Sequence, residues 1–212
     1  MSQNAAAAST QRRSWSTAWT SRQWRRRRAA TIGPVPLPFC QKRRVGWSAL
    51  ARGALILCTN TMHVVADAIQ SGVSVPLLHI VEPTGQALLH AGVQRAALLG
   101  TRFTMERPFW RARLEEQFRV MLEVPARTAR AEVHRIIYEE LCLGVVLPAS
   151  RTSLERTMSD LADAGAEAII LGCTELTLLV GTANVPLPIF DTTTLHAAEW
   201  VAWLLNDESP CE

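Results

Sequence analysis

Two short segments carry residue types on which proton chemistry could be built: Cys58-Thr59-Asn60-Thr61 and Cys173-Thr174-Glu175. Each cysteine follows an apolar run, Ala54-Leu-Ile-Leu57 in one case and Ala168-Ile-Ile-Leu-Gly172 in the other. Such a run reads as a parallel strand covered on both faces. Each thiol is therefore expected just past the carboxyl end of a strand and at the start of a helix, where open α/β sheets place their ligands. A thiol at a helix N-terminus meets the positive end of the dipole, which favours the thiolate and is expected to lower its pKa. Two such cysteines facing one another across a cleft could take a proton from one face of a substrate carbon and return one to the other, inverting the stereocentre.

The carbanion in such a reaction needs stabilisation. The sequence has no glycine-rich phosphate cradle, and its only lysine, Lys42, lies in a segment without helix or strand pattern, so neither pyridoxal phosphate nor any other cofactor is expected. Neutral donors remain: Thr59, Asn60, Thr61 and Thr174 beside the cysteines, and Thr101 and Thr104 at another strand end, could hold an α-carboxylate. Glu175 could accept a substrate ammonium or polarise Cys173, although a glutamate there is also ordinary dipole compensation. Threonines at strand ends serve equally as helix caps. His63, His134 and His196 share no metal-ligand spacing, so no metal is expected, and each reads first as a satisfied core or surface histidine. Cys142 reads as helix core, Cys211 as a frayed terminus, and Cys40 lies in the unpatterned segment.

The elements that must position these residues alternate in the βα manner. Strands are expected at 53–57, 75–80 and 95–100. Helices are expected from Thr61 to about Gln70, from Pro83 to Ala91, from Met105 to Arg119, over 127–143 and over 151–164, with 101–104 as a loop. The two cysteine segments are also repeats of one unit, since Val75-Pro76-Leu77 follows the first as Val185-Pro186-Leu187 follows the second. The fold class expected is α/β, with two pseudo-symmetric lobes built on parallel, doubly wound sheets. Residues 49–94 with 192–212 would form the first lobe and 95–191 the second.

Residues 1–52 hold eleven of the 22 Lys and Arg and none of the 19 Asp and Glu, giving +11 there and −8 in the remainder. Four of the seven Trp also lie there, and neither helical nor strand periodicity is present. Residues 1–48 are thus expected to be an unpatterned basic segment, disordered or read from a shifted frame. A transit peptide, a tail that touches nucleic acid through Arg25 to Arg28, and a folded basic module are the competing readings. No run approaches the roughly 20 apolar residues of a membrane span. Five cysteines without a CxxC pair suit reduced thiols in a cytoplasmic protein.

The motifs Cys58-Thr-Asn-Thr-Met-His63, Leu98-Leu-Gly-Thr-Arg-Phe-Thr-Met-Glu106, Glu132-Val-His-Arg-Ile-Ile137, Leu171-Gly-Cys-Thr-Glu175 and Asp191-Thr-Thr resemble the aspartate/glutamate/hydantoin racemase superfamily over about residues 49–205. The nearest branch is that of broad-specificity amino-acid racemases. The resemblance implies a cofactor-independent isomerase with Cys58 and Cys173 as the two acid/base residues. It also implies an amino-acid substrate lined by Thr59, Asn60, Thr61, Thr174 and Glu175, with the Thr101 loop nearby. Members are often dimers, so a homodimer is among the expectations, whereas a membrane or nucleic-acid partner is not. Members also begin with a strand and a Gly-Gly-Met-Ser type loop before the first cysteine. No such loop is present here, so the first lobe is expected to be incomplete, and activity is a separate question from ancestry. An inactive fragment with a basic tail is the alternative of a different class. A decarboxylase or cis-trans isomerase is the alternative on the same fold, but a decarboxylase needs one cysteine where this chain keeps two.

Overall fold

The computed structural model describes residues 53–180 and 185–206, so the expectations for residues 1–48, Cys40 and Cys211 lie outside the described residues. Strand β1 (Leu55–Ile56) leads through Cys58 into a 3₁₀ turn (Thr61–Val65) and helix α1 (Ala66–Gln70). Strand β2 (Leu77–Leu78) and helix α2 (Val81–His90) follow, then β3 (Arg95–Gly100), α3 (Arg102–Glu106), α4 (Pro108–Phe118) and β4 (Met121–Glu123). Helix α5 (Arg127–Arg135) runs on through a π turn (Ile136–Glu140) and a 3₁₀ turn (Leu141–Leu143) before α6 (Pro148–Asp163). Next come β5 (Ala168–Gly172), a 3₁₀ turn (Thr174–Leu178), β6 (Ile189–Asp191) and α7 (Thr192–Asn206).

The described residues form two sheets, both wholly parallel. β1 pairs with β2, and four strands are ordered β4-β3-β5-β6. The second order reverses direction at β3: the chain steps outward to β4, then returns to the far side for β5 and β6. The gap between the carboxyl ends of β3 and β5 is therefore a topological switch point, the place where doubly wound sheets bind ligands. Gly100 and Gly172 stand opposite one another there, immediately before Thr101 and Cys173. The two strands are apolar throughout because both faces are covered: Ala96 to Leu99 and Ala168 to Leu171 are all buried.

The absence of side chains at that crossing is a packing requirement. A Cβ on Gly172 would lie 2.7 Å from Leu98 Cδ1 and 3.2 Å from the Leu99 carbonyl oxygen, while one on Gly100 would lie 3.0 Å from the Gly172 oxygen. Leu98 is itself fully buried and has nowhere to go. Gly172→Ala is therefore expected to cost about 1–3 kcal/mol by overpacking, read as a lower midpoint in urea with an unchanged slope. An unchanged midpoint would show that the crossing can relax.

Several boundaries differ from the sequence expectation for local reasons. The helix expected over 105–119 is two helices, because Pro108 disfavours helical geometry at Arg107. Thr104 lies inside α3 rather than in a loop, with Thr101 as its N-cap accepting from the Thr104 amide. Both cysteine segments run into five-residue 3₁₀ turns rather than α-helices; the first continues into α1, while the second ends at Leu178 with no α-helix between it and β6 among the described residues. β4 was not anticipated; only three residues long, with Leu122 alone buried, it leaves no readable period. Gly92 and Gly165 end α2 and α6 in left-handed conformation, at φ 71° and 97°. Cys142 is exposed rather than core, because the π turn shifts the helical phase and delivers it to the turn Leu141–Leu143.

Candidate active site

The Cys58 turn is held to the second sheet by two hydrogen-bonded paths. Asn60 Nδ2 donates to Thr192 Oγ1 at 2.9 Å, and Thr192 Oγ1 donates to the Leu171 carbonyl at 2.8 Å, two residues before Cys173. The Thr192 hydroxyl has one proton, which Leu171 takes, so the atom of Asn60 facing it must be the amide nitrogen. Asn60 Oδ1 is then a buried acceptor with no hydrogen-bond partner among the described residues. In the second path, the Thr61 hydroxyl lies 3.1 Å from that of Thr104 and 3.4 Å from that of Thr101, which themselves are 3.2 Å apart. The structure thus brings Asn60, Thr61, Thr101 and Thr104 together at the switch point. Thr192, buried at the start of α7, is a linker that sequence reasoning missed; its signal was the Asp191-Thr-Thr motif, in which Asp191 caps α7 through the Thr193 and Thr194 amides.

Cys173 caps the turn Thr174–Leu178 and is 8% exposed, while Glu175 is half-buried beside it and Thr174 is exposed. The thiol donates to Glu175 Oε2 at 2.9 Å, and the Thr174 hydroxyl donates to the same oxygen at 2.7 Å. Cys142 also hydrogen-bonds this carboxylate, from the turn Leu141–Leu143 that packs against Thr174–Leu178. Burial above all, and then the neighbouring Glu175 charge, push the Cys173 thiol well above its ordinary range. The expected drop from a helix dipole does not occur, because a single short 3₁₀ turn is a weak dipole set against desolvation and an adjacent anion. Burial also opposes ionisation of Glu175, but the hydrogen bonds from Cys173 and Thr174 outweigh it and hold that carboxyl below its ordinary value. Glu175→Gln removes the anion and is expected to speed alkylation of Cys173 by iodoacetamide at pH 8 by roughly 3–10-fold. Site-resolved mass spectrometry would read this, and an unchanged rate would mean that burial alone governs the thiol.

Cys58 is exposed and Thr59 half-buried. The two repeats can be matched through their backbones: the Leu55 amide donates to the Pro76 carbonyl and the Ile169 amide to the Pro188 carbonyl. Matched this way, Leu55 corresponds to Ile169, Cys58 to Gly172 and Thr59 to Cys173. The second repeat thus has one residue more, Gly172, before its cysteine, and in the first the chain bends at Cys58 itself, with the Thr59 amide closing on the Leu57 carbonyl.

The profile of the Asp/Glu/Hydantoin racemase family matches residues 46–200. The chain belongs to this family. A broad-specificity amino-acid racemase, RacX, of Bacillus subtilis (strain 168) is 24% identical over 162 residues, covering 73% of this chain and 66% of the relative. The chain thus spans just under two thirds of that relative's length. Among solved structures, a Yersinia pestis protein assigned as an Asp/Glu racemase is 40% identical with TM-score 0.75, covering 80% of this chain and 74% of that one. An aspartate racemase homologue, PH1733, from Pyrococcus horikoshii OT3 is 28% identical with TM-score 0.70, covering 79% and 73%. This racemase-family chain therefore has the two-lobe α/β fold of its neighbours. Among its described residues no group of three or more His, Cys, Asp or Glu could hold a metal, and no helix is long and apolar enough to cross a membrane.

Proposed function

We propose that this chain carries a cofactor-independent amino-acid racemase site, with Cys173 working on one face of the substrate Cα and the Cys58–Thr59 turn on the other. The observation that carries the reading is the pair of hydrogen-bonded paths that join the Cys58 turn to the two strand ends at the switch point, one through Thr192 to β5, which bears Cys173, and one through Thr104 to the end of β3. They hold two matched strand ends around one point, as a two-base inversion requires.

The groups divide by chemistry. The α-carboxylate is the partner for the Thr61, Thr101 and Thr104 hydroxyls, which need no charge to donate. The ammonium is the partner for Asn60 Oδ1, whose burial without a hydrogen bond is costly until a donor arrives. Cys173, a protonated thiol beside a carboxylate, is set to deliver a proton to a Cα carbanion, with Glu175 taking part in its reprotonation. In the opposite direction Cys173 first loses its proton to solvent, and the thiolate then takes the Cα proton. Cys58 is the thiol that the sequence offers for the second face.

The lobes proposed are residues 49–94 with the last helix, and residues 95–191. The substrate is a small amino acid; aspartate, glutamate and neutral amino acids are the candidates. Incubating the protein with single enantiomers of each in D₂O, and following the α-proton by NMR beside chiral chromatography, tests the reading. Exchange accompanied by inversion supports it. No exchange with any of them, in protein shown to be folded, makes the site an inherited remnant.

A further inference from the structure

We propose that His63 is a positioning residue for the Cys58–Thr59 turn, a fixed neutral bridge between the Thr59 carbonyl and the first turn of α2. The inference rests on the reading of that turn as one side of the racemase site.

The partners of the ring decide its state. Nδ1 lies 2.9 Å from the Thr59 carbonyl oxygen, which can only accept, so Nδ1 carries the proton. Nε2 lies 3.2 Å from the Ile80 amide nitrogen, which can only donate, so Nε2 is bare. A second proton on the ring would set N–H against N–H. His63 is 2% exposed, and burial, as the largest influence, lowers its pKa to about 4, which agrees with a neutral bridge.

The 3₁₀ winding explains why a side chain is needed. In an α-helix the amide of residue 63 would bond the carbonyl of residue 59. Here that amide goes instead to the Asn60 carbonyl at 3.2 Å, which frees the Thr59 carbonyl for the ring of the same residue 63. The Thr59 amide, in turn, closes back on Leu57 at 2.7 Å, so the peptide between Cys58 and Thr59 sits in a tight bend with His63 holding its exit. The other end of the bridge uses an Ile80 amide that the start of α2 leaves without an intrahelical partner.

Two further rings brace the bridge. His79 lies edge-on to His63 at 4.5 Å between centroids and 70°, and His196 at 5.7 Å and 66°. His196 Nε2 donates to the Leu78 carbonyl at 2.8 Å, fastening α7 to β2. The Cys58 turn is thereby tied to α2 on one side while Asn60 and Thr61 tie it to the second sheet on the other. A histidine that merely filled space would not need both nitrogens engaged with separate backbone segments.

The test compares His63→Leu, which keeps volume and loses both bonds, with His63→Asn, whose side-chain amide can still donate to Thr59. Iodoacetamide labelling is followed thiol by thiol, well below each variant's Tm, with exposed Cys142 as internal reference. The expected result is a Cys58 labelling rate altered about fivefold or more in His63→Leu, restored to within about twofold in His63→Asn, with Cys142 unchanged. In racemisation assays kcat falls in His63→Leu while KM moves less than about threefold. Unchanged Cys58 labelling in folded His63→Leu, or a parallel change at Cys142, overturns the proposal. Should His63→Leu not fold, failure of His63→Asn to keep the wild-type Cys58 rate overturns it equally. A labelling response without racemisation in the wild-type protein would leave the positioning role standing and remove the racemase reading instead.

Discussion

Replacing Cys173 by alanine is expected to abolish racemisation, with a loss of about 10²–10⁴-fold, while one enantiomer continues to exchange its α-proton with solvent. The asymmetry follows from the two-sided arrangement. Without Cys173, the base on the opposite face can still remove a proton from the enantiomer that presents it and return a solvent-derived one to the same face, so exchange survives without inversion. The other enantiomer presents its proton to a methyl group and does nothing. Removing the opposite base must give the mirror-image result: Cys58→Ala should retain exchange only on the enantiomer that Cys173→Ala leaves inert. Cys173 is small and sits at a strand end, so its loss should lower stability by no more than about 1–2 kcal/mol, and a circular dichroism melt separates a dead site from an unfolded one. Wild-type exchange of both enantiomers in Cys173→Ala would sink the two-base reading.

The second large effect is on stability in acid. His63, His79 and His196 are all held below their ordinary pKa, in each case chiefly by burial. For such groups the unfolded chain takes up protons before the native one does. Their contribution is therefore complete above about pH 6.5 and is lost as the pH falls toward 4, the value to which His63 is lowered. For His63 alone the shift corresponds to about 3 kcal/mol. His79 adds in the same direction, and Arg113, near both rings, makes a positive charge there less favourable still. Glu82 acts against the trend, since burial raises its pKa, but it faces Arg113, which limits the rise. Urea unfolding at intervals from pH 7.5 to 4.5 should show the free energy falling steadily below pH 6.5. His63→Asn should flatten that slope. A wild-type profile level between pH 6.5 and 4.5 would mean that water reaches the rings and that the cluster is not the buried group described.

How much of this was legible in the sequence can be judged element by element. Strand β3 was readable to the residue, because six apolar-rich positions between Gly92 and the polar Thr101 leave no other choice. The helix ends at Gly92 and Gly165 were equally clear, since only glycine takes up a positive φ without strain. The short strands β4 and β6 were not, because their pairing with β3 and β5 stabilises them and their own side chains hardly alternate. The family and the two cysteine segments were legible because chemistry-bearing residues at matched strand ends are a local pattern.

The working relations among those residues were decided only in three dimensions. Asn60 and Thr192 are 132 residues apart, and nothing local says that one amide orients the other hydroxyl. Cys142 looked like core until a π turn changed its phase. Cys173 looked like a thiol of lowered pKa until burial and the Glu175 carboxylate raised it instead. The sequence by itself determined which groups are present and which strand end each follows, since these depend on nearest neighbours along the chain. Which groups meet, which are dry and which proton each nitrogen carries was settled by the tertiary structure, because desolvation and hydrogen bonding depend on atoms brought together from distant parts of the chain.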